Sequence, residues 1–170
     1  LIATYEYKFD ALDVLILLAM GRYVKERVNA GLPFTAANQV FVPGLEQSLA
    51  VRCRTTQASK LGLIAKCLNA KGRQVPGVWV ITSRGWAALR GDPVPRLVRV
   101  KGGSIEERTE ETVTITGAIQ VHRDSCEAAA RRHRQPRSDY RVQLANYEPE
   151  EWYGIEGGVP RSERMEARLF

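Results

Sequence analysis

Between Gln47 and Gly91 the chain has no acidic residue at all. Cysteine and histidine are scarce throughout. The three cysteines (Cys53, Cys67, Cys126) are odd in number and widely spaced, no C-x-x-C occurs, and His122 and His133 lie far from the first two. That spacing argues against a zinc-ligand set and against a disulfide framework. It leaves small buried or idle thiols in a reducing compartment. Long apolar runs are lacking too. The best of them, Val14 to Met20, has seven residues, whereas a helix needs about 20 to cross a bilayer. A soluble, cytoplasmic protein without a membrane partner is expected, and no charged leader with an apolar stretch and cleavage site opens the chain at Leu1. There is no P-loop, no G-x-G-x-x-G and no nucleophile motif. Glu106, Glu107, Glu110 and Glu111 gather near a turn, where solvation suits them better than metal binding. An enzyme is therefore not expected, nor is any cofactor or metal.

What is present is a chain of 170 residues, 44% hydrophobic, enough for a real core and one domain with an appendage. Its +6 charge is unevenly spread. Residues 1–91 hold 12 basic and 5 acidic side chains (+7), and residues 92–170 hold 13 and 14 (−1). The acid-free stretch carries Arg52, Arg54, Lys60, Lys66, Lys71, Arg73, Arg84 and Arg90. A folded surface is usually mixed in sign, so such a stretch implies a positive face. Polyanions are its natural partner, because neutralising phosphates releases counterions. A basic surface without a dedicated partner is the other reading of charge alone.

Residues 1–9 alternate and are rich in aromatics, as a short strand or a packed arm. Asp10 is a good N-cap, and Leu12, Leu15, Ile16, Ala19 and Tyr23 follow the spacing of one buried helical face that stops at Gly31 and Pro33. Thr35 can cap a short helix to about Phe41, Pro43-Gly44 marks a turn, and a longer helix follows over 48–61. Leu63 to Leu68 reads as a strand, Asn69 to Gly77 as a hairpin loop, and Val78 to Ile81 as a second strand. Thr82 caps a helix ending near Arg90. Beyond it Val94 to Val100 and Thr112 to Thr116 read as strands around a Lys101-Gly102-Gly103 turn, and Asp124 to Arg134 as a short helix. From Gln135 onward the composition is that of an irregular, partly disordered tail.

The order Gly62-Leu63-Ile64, a glycine-containing loop, then Ile81-Thr82-Ser83-Arg84-Gly85-Trp86-Ala87-Ala88-Leu89 resembles winged helix-turn-helix DNA-binding proteins of bacterial and phage type. The likeness covers about residues 10–91. It implies an α+β fold: a winged helix-turn-helix domain (1–93), a small β-hairpin extension (94–121), and a short helix with an irregular C-terminal tail (122–170). Physically, Gly62 ends a helix so the chain can turn into a strand. Thr82 satisfies amide donors of the next helix, and Gly85 lets that helix approach the sheet.

In such a fold the 48–61 helix reads the major groove and the 69–77 wing meets phosphates, as in a transcriptional regulator or accessory factor on the nucleoid. On a helical wheel Arg52, Thr55, Thr56 and Ser59 share one side, with Leu49, Ala50, Cys53 and Leu61 opposite. Arg52 is the candidate for a guanine. Arg54 is a further candidate, although it falls with Gln57 towards the apolar side. A solvated helix face is the competing reading for both arginines. Lys71 and Arg73 sit on the wing tip, and Lys60 and Arg84 are candidate backbone contacts. Arg131, Arg132, His133, Arg134 and Arg137 read as a second anchor or as a charged helix end. Double-stranded DNA is the expected partner, and a homodimer is compatible with it; RNA suits a helix-plus-wing less well. The alternative is a winged-helix protein-interaction module whose tail, with Trp152 and Tyr153 among acids, docks on a host, replication or transcription protein. Packing of that tail back on the domain is the competing reading.

Overall fold

The computed structural model describes residues 2–45, 54–132 and Trp152. It is a mixed α+β fold with antiparallel sheets. The central element is α1 (Ala11–Asn29), which begins at a capping box. The Asp10 carboxylate accepts from Leu12 N at 3.0 Å, and the Asp13 carboxylate accepts from Asp10 N at 3.0 Å. These bonds satisfy amides that a helix start leaves open. The buried surface of α1 is wider than the single expected stripe. Leu15, Ile16 and Ala19 are buried, but so are Val14, Leu17, Leu18 and Met20, while Leu12 and Tyr23 are only half-buried. The cause is that elements pack around the helix on several sides, so its middle has no wet face.

After Gly31 the chain makes α2 (Phe34–Ala37), with Pro33 rather than Thr35 at its N-cap. The helix does not reach Phe41. Val40–Phe41 form β2, paired antiparallel with Val78 and Trp79, because a β-branched and an aromatic side chain gain more from a sheet edge than from another helical turn. A 3-10 turn follows at Val42–Gly44. α3 spans Thr55–Lys60 and starts from Arg54 as N-cap residue. Of the element expected over 48–61, Thr55–Lys60 are helical, and positions 48–53 lie outside the described residues.

β3 (Ile64–Leu68) and β4 (Gln74–Ile81) form a hairpin, and the sheet order is β2-β4-β3. The loop is shorter than expected: Gln74 to Gly77 already belong to β4, so the turn is Asn69–Arg73. α4 (Ser83–Leu89) follows under its Thr82 cap. β5 (Val94–Pro95), β6 (Leu97–Lys101) and β7 (Ser104–Arg108) come next. The N-terminal strand β1 (Thr4–Lys8) pairs with β6, and β6 with β7, giving a second sheet of order β1-β6-β7.

Only Thr112–Val113 form a strand, β8, paired with β5. Thr114 then accepts from Gly117 N at 3.0 Å and caps α5 (Ile115–Arg131). The stretch read as a strand over Thr112–Thr116 therefore breaks at its third residue, and the helix read from Asp124 starts about two and a half turns earlier. A threonine followed three residues later by an amide it can hold is a helix start as readily as a strand position. Among the described residues no helix is long and apolar enough to cross a membrane.

One core cluster takes in α1, the ends of β3 and β4, α4, and also Val94, Val98, Val100, Ile115, Ala118 and Ile119 from the second half of the chain. Trp152 joins it at 2% exposure. A smaller cluster of Ala65, Cys67 and Val80 lies on the β3–β4 pair, and burial pushes the Cys67 thiol up.

Candidate nucleic-acid interface

The hairpin is anchored where the sequence motif lies. Gly62 has φ +78, a value that favours glycine. Its carbonyl accepts from Thr82 Oγ1 at 2.6 Å, and Thr82 Oγ1 accepts in turn from Gly85 N at 3.0 Å. Thr82 N donates to Leu63 O at 3.1 Å. A Cβ on Gly85 would stand 2.2 Å from Leu63 O and 2.8 Å from the Ile81 side chain. The roles expected for Gly62, Thr82 and Gly85 are those found, with one addition: the two halves of the motif bind each other across the hairpin base.

At the other end of the hairpin the turn closes on a single side chain. Asn69 Oδ1 accepts from Lys71 N at 2.9 Å and from Arg73 N at 3.0 Å, while Asn69 N donates to Arg73 O at 2.8 Å. This Asx-type turn fixes the backbone locally, so the exposed Lys71 and Arg73 side chains leave from a defined platform. No carboxylate of the described residues pairs with either of them.

α3 is held at its start by a polar bracket. Arg54 Nη2 donates to the Asp10 carboxylate, and Arg54 Nη1 donates to Gln57 Oε1 at 2.6 Å. Gln57 Nε2 donates to Asp13 Oδ2 at 2.8 Å and to Lys8 O at 2.6 Å. The bracket reaches into the core, since Asp13 is fully buried and its Oδ1 has no hydrogen-bond partner. Burial in the first place, and the Asp10 charge, raise the Asp13 carboxyl to about 7, against the pull of the Asp10 amide and, more weakly, of Gln57 and Arg54.

The guanidinium of Arg54, a candidate contact in the sequence, is bonded to Asp10 and Gln57. Of the others on α3, Thr56 is exposed and Thr55 and Ser59 are half-buried, opposite the buried Ala58 and Leu61. Arg52, Arg134 and Arg137 lie outside the described residues. Arg131 is exposed at the end of α5, 3.6 Å from Glu127.

Lys60 and Arg84 belong to the hairpin base, not to the tip. Arg84 follows β4, and its Nη1 lies 3.2 Å from where a Gly62 Cβ would be. The tip stands about 13 Å away, at roughly 3.3 Å per residue along β3. The expected cations thus form two groups at opposite ends of one hairpin. Trp152, read as the aromatic of a partner-binding peptide, packs back on its own domain. A Cβ on Gly21 would be 2.9 Å from its ring, it meets Trp86 edge-on at 6.1 Å, and Lys25 lies 5.3 Å from its centroid. Nothing in the sequence marked its destination. The chain matches no protein-family model, no curated protein and no solved structure.

Proposed function

We propose that the chain is a double-stranded DNA-binding protein of winged helix-turn-helix type, a transcriptional regulator or accessory factor. In this reading α3 turns Thr55, Thr56 and Ser59 to the major groove, and the β3–β4 tip sets Lys71 and Arg73 on phosphates. The observation that carries it is the tip: two exposed cations on a turn closed by Asn69, within a stretch free of acids. Three further features support it. The helix precedes the hairpin directly, the Gly62–Thr82–Gly85 contacts tie down the hairpin base, and Thr56 is exposed on α3 with Thr55 and Ser59 half-buried beside it. The burial of Trp152 occupies one of the two aromatics, with Tyr153, on which a peptide-docking function would rest.

Fluorescence anisotropy of a labelled 20-base-pair duplex over a range of NaCl concentrations tests the reading. Binding is expected at low salt, with log K falling linearly in log salt. The K71A/R73A double variant is expected to flatten that slope by about 1.8, at roughly 0.9 for each phosphate no longer neutralised, with an unchanged Tm. Absence of duplex binding at about 50 mM salt, where phosphate contacts are strong, would sink it.

A further inference from the structure

A cavity of about 630 Å³ lies between the turn from β1 into α1 and the turn from β8 into α5. Its two walls are joined through the backbone of Arg96. Arg96 O accepts from Phe9 N at 2.9 Å, and Arg96 N donates to Glu111 O at 2.9 Å. Pockets that hold a small organic molecule span about 300–1,000 Å³ and set a few polar groups in an apolar lining. The lining has both. Leu12 from α1, Val113 from β8, and Ala118 and Val121 from α5 supply its apolar side. Ala118 and Val121 are three residues apart and so share a helical face. Ala118 is buried and Val121 is 68% exposed, so that face runs from the interior out to solvent.

The ionisable lining is Lys8, Asp10, Arg96, Glu111 and His122, and most of it is answered within the protein. Asp10 is bonded to Arg54, Arg96 Nη1 donates to Glu111 Oε1 at 2.6 Å, and His122 Nε2 lies 3.6 Å from Cys126 Sγ. Lys8 is exposed, and no carboxylate of the described residues pairs with it. A lysine is a compact charge on a flexible stem, able to follow the head group of a ligand. One negative charge matches it. A dianion would bring a second charge close to Asp10 and Glu111, and a cation would meet carboxylates that already have arginines.

We propose that this cavity binds a small organic monocarboxylate, with its acid group on Lys8 and its apolar body along Val113, Ala118 and Val121. None of the lining residues belongs to the β3–β4 hairpin, so the site is separate from the duplex reading and does not depend on it. Its walls come from opposite ends of the described chain, and no window of the sequence shows them together.

The test is an NMR titration of the full chain with octanoate and cinnamate, one flexible and one planar acid, and with their neutral amides. At least one acid is expected to shift the methyl signals of Val113, Ala118 and Val121, with a Kd on the order of 1 mM or below for ligands of this size. Its amide should bind about fivefold more weakly, and K8A should weaken the acid by about as much, for one exposed charge-assisted contact. K101A removes a lysine of the same sheet that does not line the cavity and should leave the Kd as it is. V121D sets a carboxylate at an exposed position of the apolar wall and should weaken the acid at unchanged Tm. Methyl signals unmoved by both acids at about 10 mM overturn the proposal. So does equal affinity for acid and amide, or a Kd that neither K8A nor V121D changes.

Discussion

The β3–β4 hairpin differs sharply between its two ends. Its base is tied to neighbours through backbone and side chain, with Gly62, Leu63, Thr82 and Gly85 bonded or packed within van der Waals limits. Among the described residues its tip is bonded to itself, through Asn69. The base holds small and apolar residues that are costly to change, with Lys60 and Arg84 beside them; the tip holds exposed cations whose charge no described carboxylate answers. One element thus carries both the residues that specify the fold and those left over for another molecule. The two sets can be told apart by whether substitution moves stability or binding.

Trp152→Ala should have the largest effect, a loss of about 3–5 kcal/mol in urea unfolding, as expected for emptying a buried aromatic site. It acts on the base side, where the ring meets Trp86 and Gly21. A midpoint equal to wild type would mean that the tail is not part of the core. Gly85→Ala comes next, at about 3 kcal/mol or more, because the methyl would have to displace Leu63 O. A loss below about 1 kcal/mol would show that the base is not close-packed as described.

Asp13 sharpens the comparison through pH. Its carboxyl is raised to about 7, whereas an unfolded aspartate titrates near about 3.9. Between these values the folded state holds a proton that the unfolded state has lost. This contribution to stability is therefore fully present below about pH 4, falls as pH rises towards 7, and is flat above it. Asp13→Asn should flatten the dependence of the unfolding free energy between pH 4.5 and 7.5 by an amount on the order of 3 kcal/mol. A variant with the wild-type slope would remove Asp13 as its source. Asn69→Ala is the mildest change in stability, about 1 kcal/mol for the missing turn bonds. It should nevertheless weaken duplex binding several-fold without altering any charge, and unchanged affinity would show that the platform under Lys71 and Arg73 is irrelevant.

The parts of this molecule that were legible in sequence are those fixed by neighbours in the chain. Asp10 as cap, Gly62 as helix stop, Thr82 as cap and Gly85 as the close approach all depend on a few adjoining residues. The errors lie where distant partners decide. Val40 and Phe41 leave the helical path because β4 offers them a strand to pair with. Thr112 to Thr116 alternate as a strand would, yet Thr114 turns its hydroxyl to Gly117 and starts a helix. Arg54 counts as a cation in any composition window, and only Asp10, far back in the chain, shows that its charge is taken. The two groups of cations look like one stretch in sequence and are separated by the length of a β-strand in space.

The seating of Trp152 against Gly21 also has a consequence for the order in which the protein can be completed. Domains form as the chain emerges from the ribosome, N-terminal part first, and α1 emerges well before Trp152. Its slot beside Leu89 stays open to water until the chain has been made as far as Trp152. Contacts so far apart in sequence are slow to close, because their entropy must be lost before they give anything back. The nascent protein therefore exposes the flank of α1 throughout that interval. That interval is when a chaperone has something to hold, and it ends when the indole arrives.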